Sequence, residues 1–376
     1  MDVDHEAGTG HDSEALVRIA DEAGYQVSPR MLETFRAQGL LPRPIRTGHR
    51  GRAPVWTYPD GTDRQLVALL AWRTHTKDPD TLRVLLWVDG FPIASDVIRA
   101  ALVDNLTAAL DLLEREITTQ AQRHGLDPTL DSDRDQALHL IAGALTAKRG
   151  PNSLPRRTRV RATDRAHAVH LLLRAFALGD AVDTTTDDAK IVERVLGVAP
   201  NGRRQRVEGA GPWLTGPAEA LFETAEIVAL PTALRAVSEA TDAELATARD
   251  IVAVLFRHLP LVARMMAALF DDANYAGLAG LDQIDQHPEI VTLLVSYVIG
   301  MLRAGWQENL QAVATALGPM PDLAAQARSL LDQPHRTIEA NLSHQPPDVR
   351  KQAQRIIDAA MNGAFDRPRR NPPPAG

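Results

Sequence analysis

The sequence predicts an all-α protein carrying a single small β-hairpin, with a compact N-terminal part and a larger helical C-terminal part. Three observations carry this. Apolar residues make up 44% of the 376 residues but aromatics only 4%. Ala and Leu dominate, and Val and Ile rarely alternate with polar residues, which is the pattern of helices rather than sheets. The exception is Leu40 to Tyr58, where Pro42, Pro44, Gly48, Gly51 and Pro54 exclude a helix and Val55-Trp56-Thr57-Tyr58 has strand propensity. A chain of this length buries substantial cores and is expected to hold two domains.

The elements follow in order. Residues 1–11 read as a disordered acidic tail. A first helix begins near Ser13, with Leu16, Ile19, Ala20 and Ala23 on one face, and ends at Gly24. A second opens on Ser28-Pro29, a hydroxyl N-cap followed by proline at the first helical position. It carries Met31, Leu32 and Phe35 and stops at Gly39, placed as the C′ residue. Two helices so close in sequence form a helix-turn-helix. The hairpin follows as a wing, and the region 12–93 closes with helices over 61–75 and 79–89. Ser95 then caps a helix over 96–124, about 42 Å long at 1.5 Å per residue. Its apolar stripe runs through Ile98, Leu102, Leu106, Leu113 and Ile117. A stripe on so long a helix, in the connecting segment 94–126, is read as a dimerisation seam, with intramolecular packing the competing reading.

Residues 127–365 read as a helical C-terminal domain, with helices expected over 131–147, 163–178, 187–197, 217–230, 241–258, 260–270, 288–304, 306–317, 321–332 and 346–361. Basic loops fall at 148–162 and 198–216. The end, 366–376, is Pro- and Arg-rich and reads as a disordered tail.

Composition excludes several classes. The chain has no cysteine, so disulfides, thiolate-bound zinc and thiolate catalysis are ruled out. The opening residues lack a signal-peptide pattern, and the most apolar run, Ile290 to Leu302, is too short to span a bilayer. A cytoplasmic, nucleoid-associated protein with no membrane partner is the expectation. Phosphate-loop, dinucleotide-binding, zinc-protease and nucleophile-elbow motifs are absent, so no catalysis and no cofactor are expected.

Charge points to a partner. Six arginines and one glutamate lie between Ser28 and Tyr58, a local +5 in a chain of net −7. A compact positive element on an acidic body has the character of a phosphate-contacting module, and a helix with an adjoining wing suits duplex DNA. On the second helix Ser28, Arg30, Glu33, Thr34 and Arg36 are the expected contacts. On the wing they are Arg43, Arg46, His49, Arg50 and Arg52. Trp56 and Tyr58 are expected to pack the hairpin onto the helices, leaving the Tyr58 hydroxyl free for a phosphate. The competing reading is a solvated basic loop.

The same residues resemble the winged helix-turn-helix of the MerR family of transcription regulators. The resemblance runs through Val27-Ser28-Pro29-Arg30, Gly39-Leu40-Leu41-Pro42, Arg46, Tyr58, the two following helices and the long helix over 96–124. It covers roughly residues 14–124. Where the family carries Leu-Arg-Tyr-Tyr, this chain has Leu32-Glu33-Thr34-Phe35. The resemblance implies a homodimeric regulator of transcription bound to double-stranded DNA, with the C-terminal domain taking a small-molecule effector or mediating oligomerisation. Two alternatives use the same residues: an excisionase-like architectural or recombination accessory factor, and a C-terminal enzyme or docking domain localised by the N-terminus.

Other candidates read as structural. Lys148 to Arg174 is a second basic stretch, expected to be a solvated charged loop, with an auxiliary phosphate contact as the alternative. His167 and His170 share a helical face, but no third metal ligand lies nearby in sequence. The acidic residues from Asp271 to Asp285 lack calcium-loop spacing. Trp213, Phe256, Met265, Met266, Phe270 and Trp306 are expected in helix cores, with an effector pocket as the alternative.

Overall fold

A computed structural model describes residues 11–50, 53–147, 160–179, 185–196, 227–269, 287–319 and 346–361, together with Phe222, Ala225, Asp322, Ser343 and His344. Among the described residues the chain is mostly helical and carries one two-stranded antiparallel sheet. No described helix is long and apolar enough to cross a membrane. The tail over 366–376, the basic segment 148–159, the loop 198–216 and the helix expected over 321–332 lie outside these residues, apart from Asp322.

The chain divides into two compact units, and the division falls inside two helices, between Leu102 and Val103 and between Thr292 and Leu293. The first unit opens with α1 (Ser13–Glu22), capped by Asp12, whose Oδ1 accepts from Ala15 N at 2.7 Å. Next comes α2 (Pro29–Ala37), where Ser28 Oγ accepts from Met31 N at 3.3 Å and Pro29 fills the first turn, in which a missing N–H costs nothing. The helix ends as expected at Gly39, in the left-handed region at φ +68°. Leu32 and Phe35, one turn apart, are its buried face, with Leu16 and Ala20 buried on α1.

Strands β1 (Ile45–Arg50) and β2 (Ala53–Thr57) form the hairpin. His11 adds a single antiparallel bridge to Tyr58, so this residue of the expected tail is tied to the sheet. Helices α3 (Thr62–Trp72) and α4 (Pro79–Val88) complete the unit's packing, α1 lying on α2 and α3, and α3 on α4. Side chains fasten the turn after α2: Gln65 Nε2 donates to Leu40 O at 2.9 Å, and Arg83 Nε donates to Gln38 O at 2.9 Å. Trp72 Nε1 donates to Asp89 Oδ2 at 2.7 Å, joining the ends of α3 and α4.

Helix α5 (Ser95–Arg123) leads into the second unit. Its later half, with Leu113, Ile117 and Ala121, packs on Ala137, Leu138 and Ile141 of α6 (Asp131–Ala147). An ion pair between Arg134 and Glu114 clamps the same two helices. The run expected over 163–178 is α7 (Ala162–Leu172) followed by a π-helical turn, Leu173–Leu178. Beside it α8 (Thr186–Leu196) packs Ala189 and Val192 against Ala168 and Leu171.

Two differences from the sequence expectation follow. Helix α9 (Leu230–Ser238) starts where a helix was expected to end, because Pro231 occupies its first turn rather than terminating the preceding run. Helix α10 (Asp242–Leu269) runs straight through Pro260, where two helices were expected. Then come α11 (Pro288–Arg303), α12 (Gln307–Leu317) and α13 (Pro347–Met361), with α12 and α13 packed on α10.

Candidate functional site

The basic surface is built from α2 and the hairpin. Burying Leu32 and Phe35 turns the opposite face of α2 outward, so Arg30, Glu33, Thr34 and Ala37 are exposed at i, i+3, i+4 and i+7. Ser28, also exposed, is engaged as the helix cap. Thr34 Oγ1 donates to Arg30 O at 3.0 Å, which leaves its lone pairs as the outward function. Arg36 is half-buried at the edge of this face.

The wing's register determines which side chains stand together. Arg46 lies opposite Trp56, Gly48 opposite Val55 and His49 opposite Pro54, with an irregularity between Arg46 and Gly48. The extra residue, Thr47, is a bulge, and its hydroxyl accepts from Thr57 Oγ1 at 3.2 Å. Cross-strand partners share a face, so Arg46, His49, Pro54 and Trp56 stand on one side of the hairpin. In keeping with this, Arg46 Nη2 and His49 Nε2 are in hydrogen-bond contact. Arg50 is placed in β1 by its backbone alone, and Arg52 lies outside the described residues.

Between α2 and the wing lies an open groove of about 630 Å³, lined by Ser13, Pro29, Glu33, Arg36, Ala37, Arg43, Pro44, Trp56 and Tyr58. Two aromatic expectations change here. Tyr58 is only 2% exposed and forms part of the groove wall, so its hydroxyl is not the free phosphate contact expected from sequence. Trp56, expected to pack the hairpin down, is instead 52% exposed. Tyr58 sits just past β2, at the bridge to His11, whereas Trp56 stands on the open face of the strand. Strand alternation places the two residues on one side, but only the bridge to His11, a contact distant in sequence, distinguishes their exposure.

The electrostatics are simple. Arg30, Arg36, Arg43 and Arg46 form no ion pair with a carboxylate among the described residues. Some arginines elsewhere are neutralised, as Arg161 is by Asp164 at 3.1 Å and Arg303 by Glu239 at 2.9 Å. The cations of α2 and the wing therefore keep their field for an external anion.

The remaining candidates are placed as follows. Ile98, Leu102, Leu106 and Ile117 are 0%, 0%, 1% and 0% exposed in the single chain. Leu113 is half-buried in the α5–α6 cluster. The side chains of the expected dimerisation stripe are thus buried or half-buried within the single chain. His167 and His170 each meet a carboxylate: His167 Nε2 lies 2.6 Å from Asp188 Oδ1, and His170 Nε2 lies 3.0 Å from Asp135 Oδ1. Among the described residues no cluster of three or more His, Asp or Glu is arranged to hold a metal. Phe256 and Trp306 are half-buried. Trp213 and Phe270 lie outside the described residues, as do the side chains of Met265 and Met266.

The described residues are mostly helical, with one small hairpin flanking a groove lined by two arginines and one glutamate. Comparison with known protein families, curated proteins and solved structures finds no match to this chain.

Proposed function

We propose that the protein binds double-stranded DNA through α2 and the hairpin and acts as a regulator of transcription. The observation that carries this reading is the group of four arginines, Arg30, Arg36, Arg43 and Arg46, left without carboxylate partners among the described residues of a chain whose net charge is −7. Phosphate contacts of this kind supply most of the non-specific affinity for DNA. The exposed face of α2 has the dimensions of a major-groove reader, with Arg30, Glu33 and Thr34 as the side chains nearest base edges. Glu33 is suited to accept from a cytosine amino group. The wing supplies Arg43, Arg46 and His49 to the backbone. The resemblance of residues 14–124 to the MerR regulators supports the same reading.

The test is a footprint on genomic fragments with the full chain. Protection of a discrete duplex segment, lost when Arg43 and Arg46 are replaced by Ala, is the expected result. Absence of protection on any fragment at low salt would overturn the proposal.

A further inference from the structure

The groove between α2 and the wing has a feature that contact with an intact duplex does not require. A tryptophan side chain is among the largest apolar groups a protein can bury, yet Trp56 is half exposed on a face it shares with Arg46, His49 and Pro54. The wall is apolar at Pro29, Ala37 and Pro44, and it carries three charged groups, Glu33, Arg36 and Arg43. Its volume of about 630 Å³ falls within the range of small-ligand clefts. A tryptophan face beside guanidinium groups is the surface that stacks on an unstacked nucleobase, and the flanking cations hold the strand by its phosphates.

We propose that this groove receives a nucleobase lifted out of the stack of the bound DNA. Trp56 is the stacking platform. Arg36 and Arg43, cations with no carboxylate partner among the described residues, hold the phosphates on either side of the base. Glu33 accepts a hydrogen bond from a base N–H, which favours bases that carry an amino group. Charge complementarity selects this occupant: the groove's two cations outnumber its one carboxylate, and Arg46 lies alongside. The bulge at Thr47 adds to the wing's local twist, and bulges serve to re-aim side chains in this way. This inference rests on the DNA-binding reading above and deepens it.

The energetic consequence is a preference. Lifting a base from an intact stack is costly, and the cost is least where the base is already unpaired. The experiment measures binding of the full chain to three labelled DNAs: a fully paired duplex, the same duplex with one unpaired adenine, and the corresponding single strand. The duplex with the unpaired adenine is expected to bind about tenfold more tightly than the paired one, the size of a single base–aromatic stack. Trp56→Ala is expected to abolish that ratio and leave paired-duplex affinity within about twofold, while Trp56→Phe retains most of the ratio. Because Trp56 is half exposed, these variants are expected to fold, and a far-ultraviolet spectrum matching wild type confirms it. Equal affinity for the two duplexes overturns the inference and leaves the DNA-binding reading standing. A ratio that survives in Trp56→Ala also overturns it, as does loss of paired-duplex binding in that variant, which would place Trp56 against the duplex itself. Failure of wild type to bind any of the three removes the DNA-binding reading and this inference together.

Discussion

At the scale of single residues, two positions test the packing of the second unit. Gly300 lies within α11, and a Cβ built there would sit 2.9 Å from Ile227 O, a backbone atom with little freedom to move. Gly300→Ala is expected to destabilise the protein by about 1–3 kcal/mol, as overpacking does, and to lower the thermal midpoint by several degrees. An unchanged midpoint would show that the two segments part easily. The other position is His170. Its side chain is 9% exposed and meets Asp135 at 3.0 Å, with the edge of His139 at 5.4 Å between ring centroids and Arg174 sharing Asp135 at 3.4 Å. Burial holds its pKa below the ordinary 6.5, and the attraction of Asp135 only partly offsets this. The folded state therefore resists protonation while the unfolded state accepts it. The stability that neutral His170 supports is full above pH 6.5 and is lost as pH falls below that value. The lowered carboxylates Glu114, Asp188 and Glu244 also stabilise the folded state, but that contribution fades only near and below the ordinary carboxylate range of about 4. Thermal melts from pH 7 downward are expected to fall less steeply for His170→Gln than for wild type. Parallel curves would mean that His170 does not take up a proton on unfolding.

At the scale of elements, α2 was the most legible part of the chain, because its signals are local and chemical: a hydroxyl cap, a proline in the first turn and a glycine at the end. Ser28→Ala is expected to cost about 0.5–1 kcal/mol, the low end for an N-cap, since the cap bond is long at 3.3 Å and exposed. A variant as stable as wild type on chemical denaturation would show that the proline alone sets the helix start. The outward residues Arg30, Glu33 and Thr34 were legible from helical spacing for the same reason. The proline signals at α9 and α10 were not. A proline is read from sequence as the first turn of a helix or as an interruption; Pro231 takes the first role, whereas Pro260 lies inside a continuous helix, and no local signal separates these cases. The wing was legible as a hairpin but not in its register. One extra residue at Thr47 decides which side chains share a face, and no local motif announces it. The exposure of Trp56 and the burial of Tyr58 were hidden for another reason, the bridge from Tyr58 to His11, which is distant in sequence.

At the scale of the whole molecule, the long helix α5 was correctly placed by its apolar spacing, but spacing shows only that a stripe is covered, not what covers it. The structure has Leu102 and Leu106 already buried in one chain. Leu102→Glu and Leu106→Glu are therefore expected to abolish cooperative unfolding, because each forces an unpaired charge into an apolar site. A folded variant of altered mass by light scattering would instead restore the stripe as an interface between copies. The central claim is that the unneutralised arginines of α2 and the wing hold duplex DNA. Its most direct test is the salt dependence of duplex affinity for wild type and for the Arg30→Ala, Arg43→Ala, Arg46→Ala triple variant, none of whose altered side chains is buried. Log K is expected to fall linearly with log salt concentration, with a slope shallower in the triple variant by roughly 0.9 for each phosphate contact removed. Equal affinity and equal slope in the two proteins would contradict it.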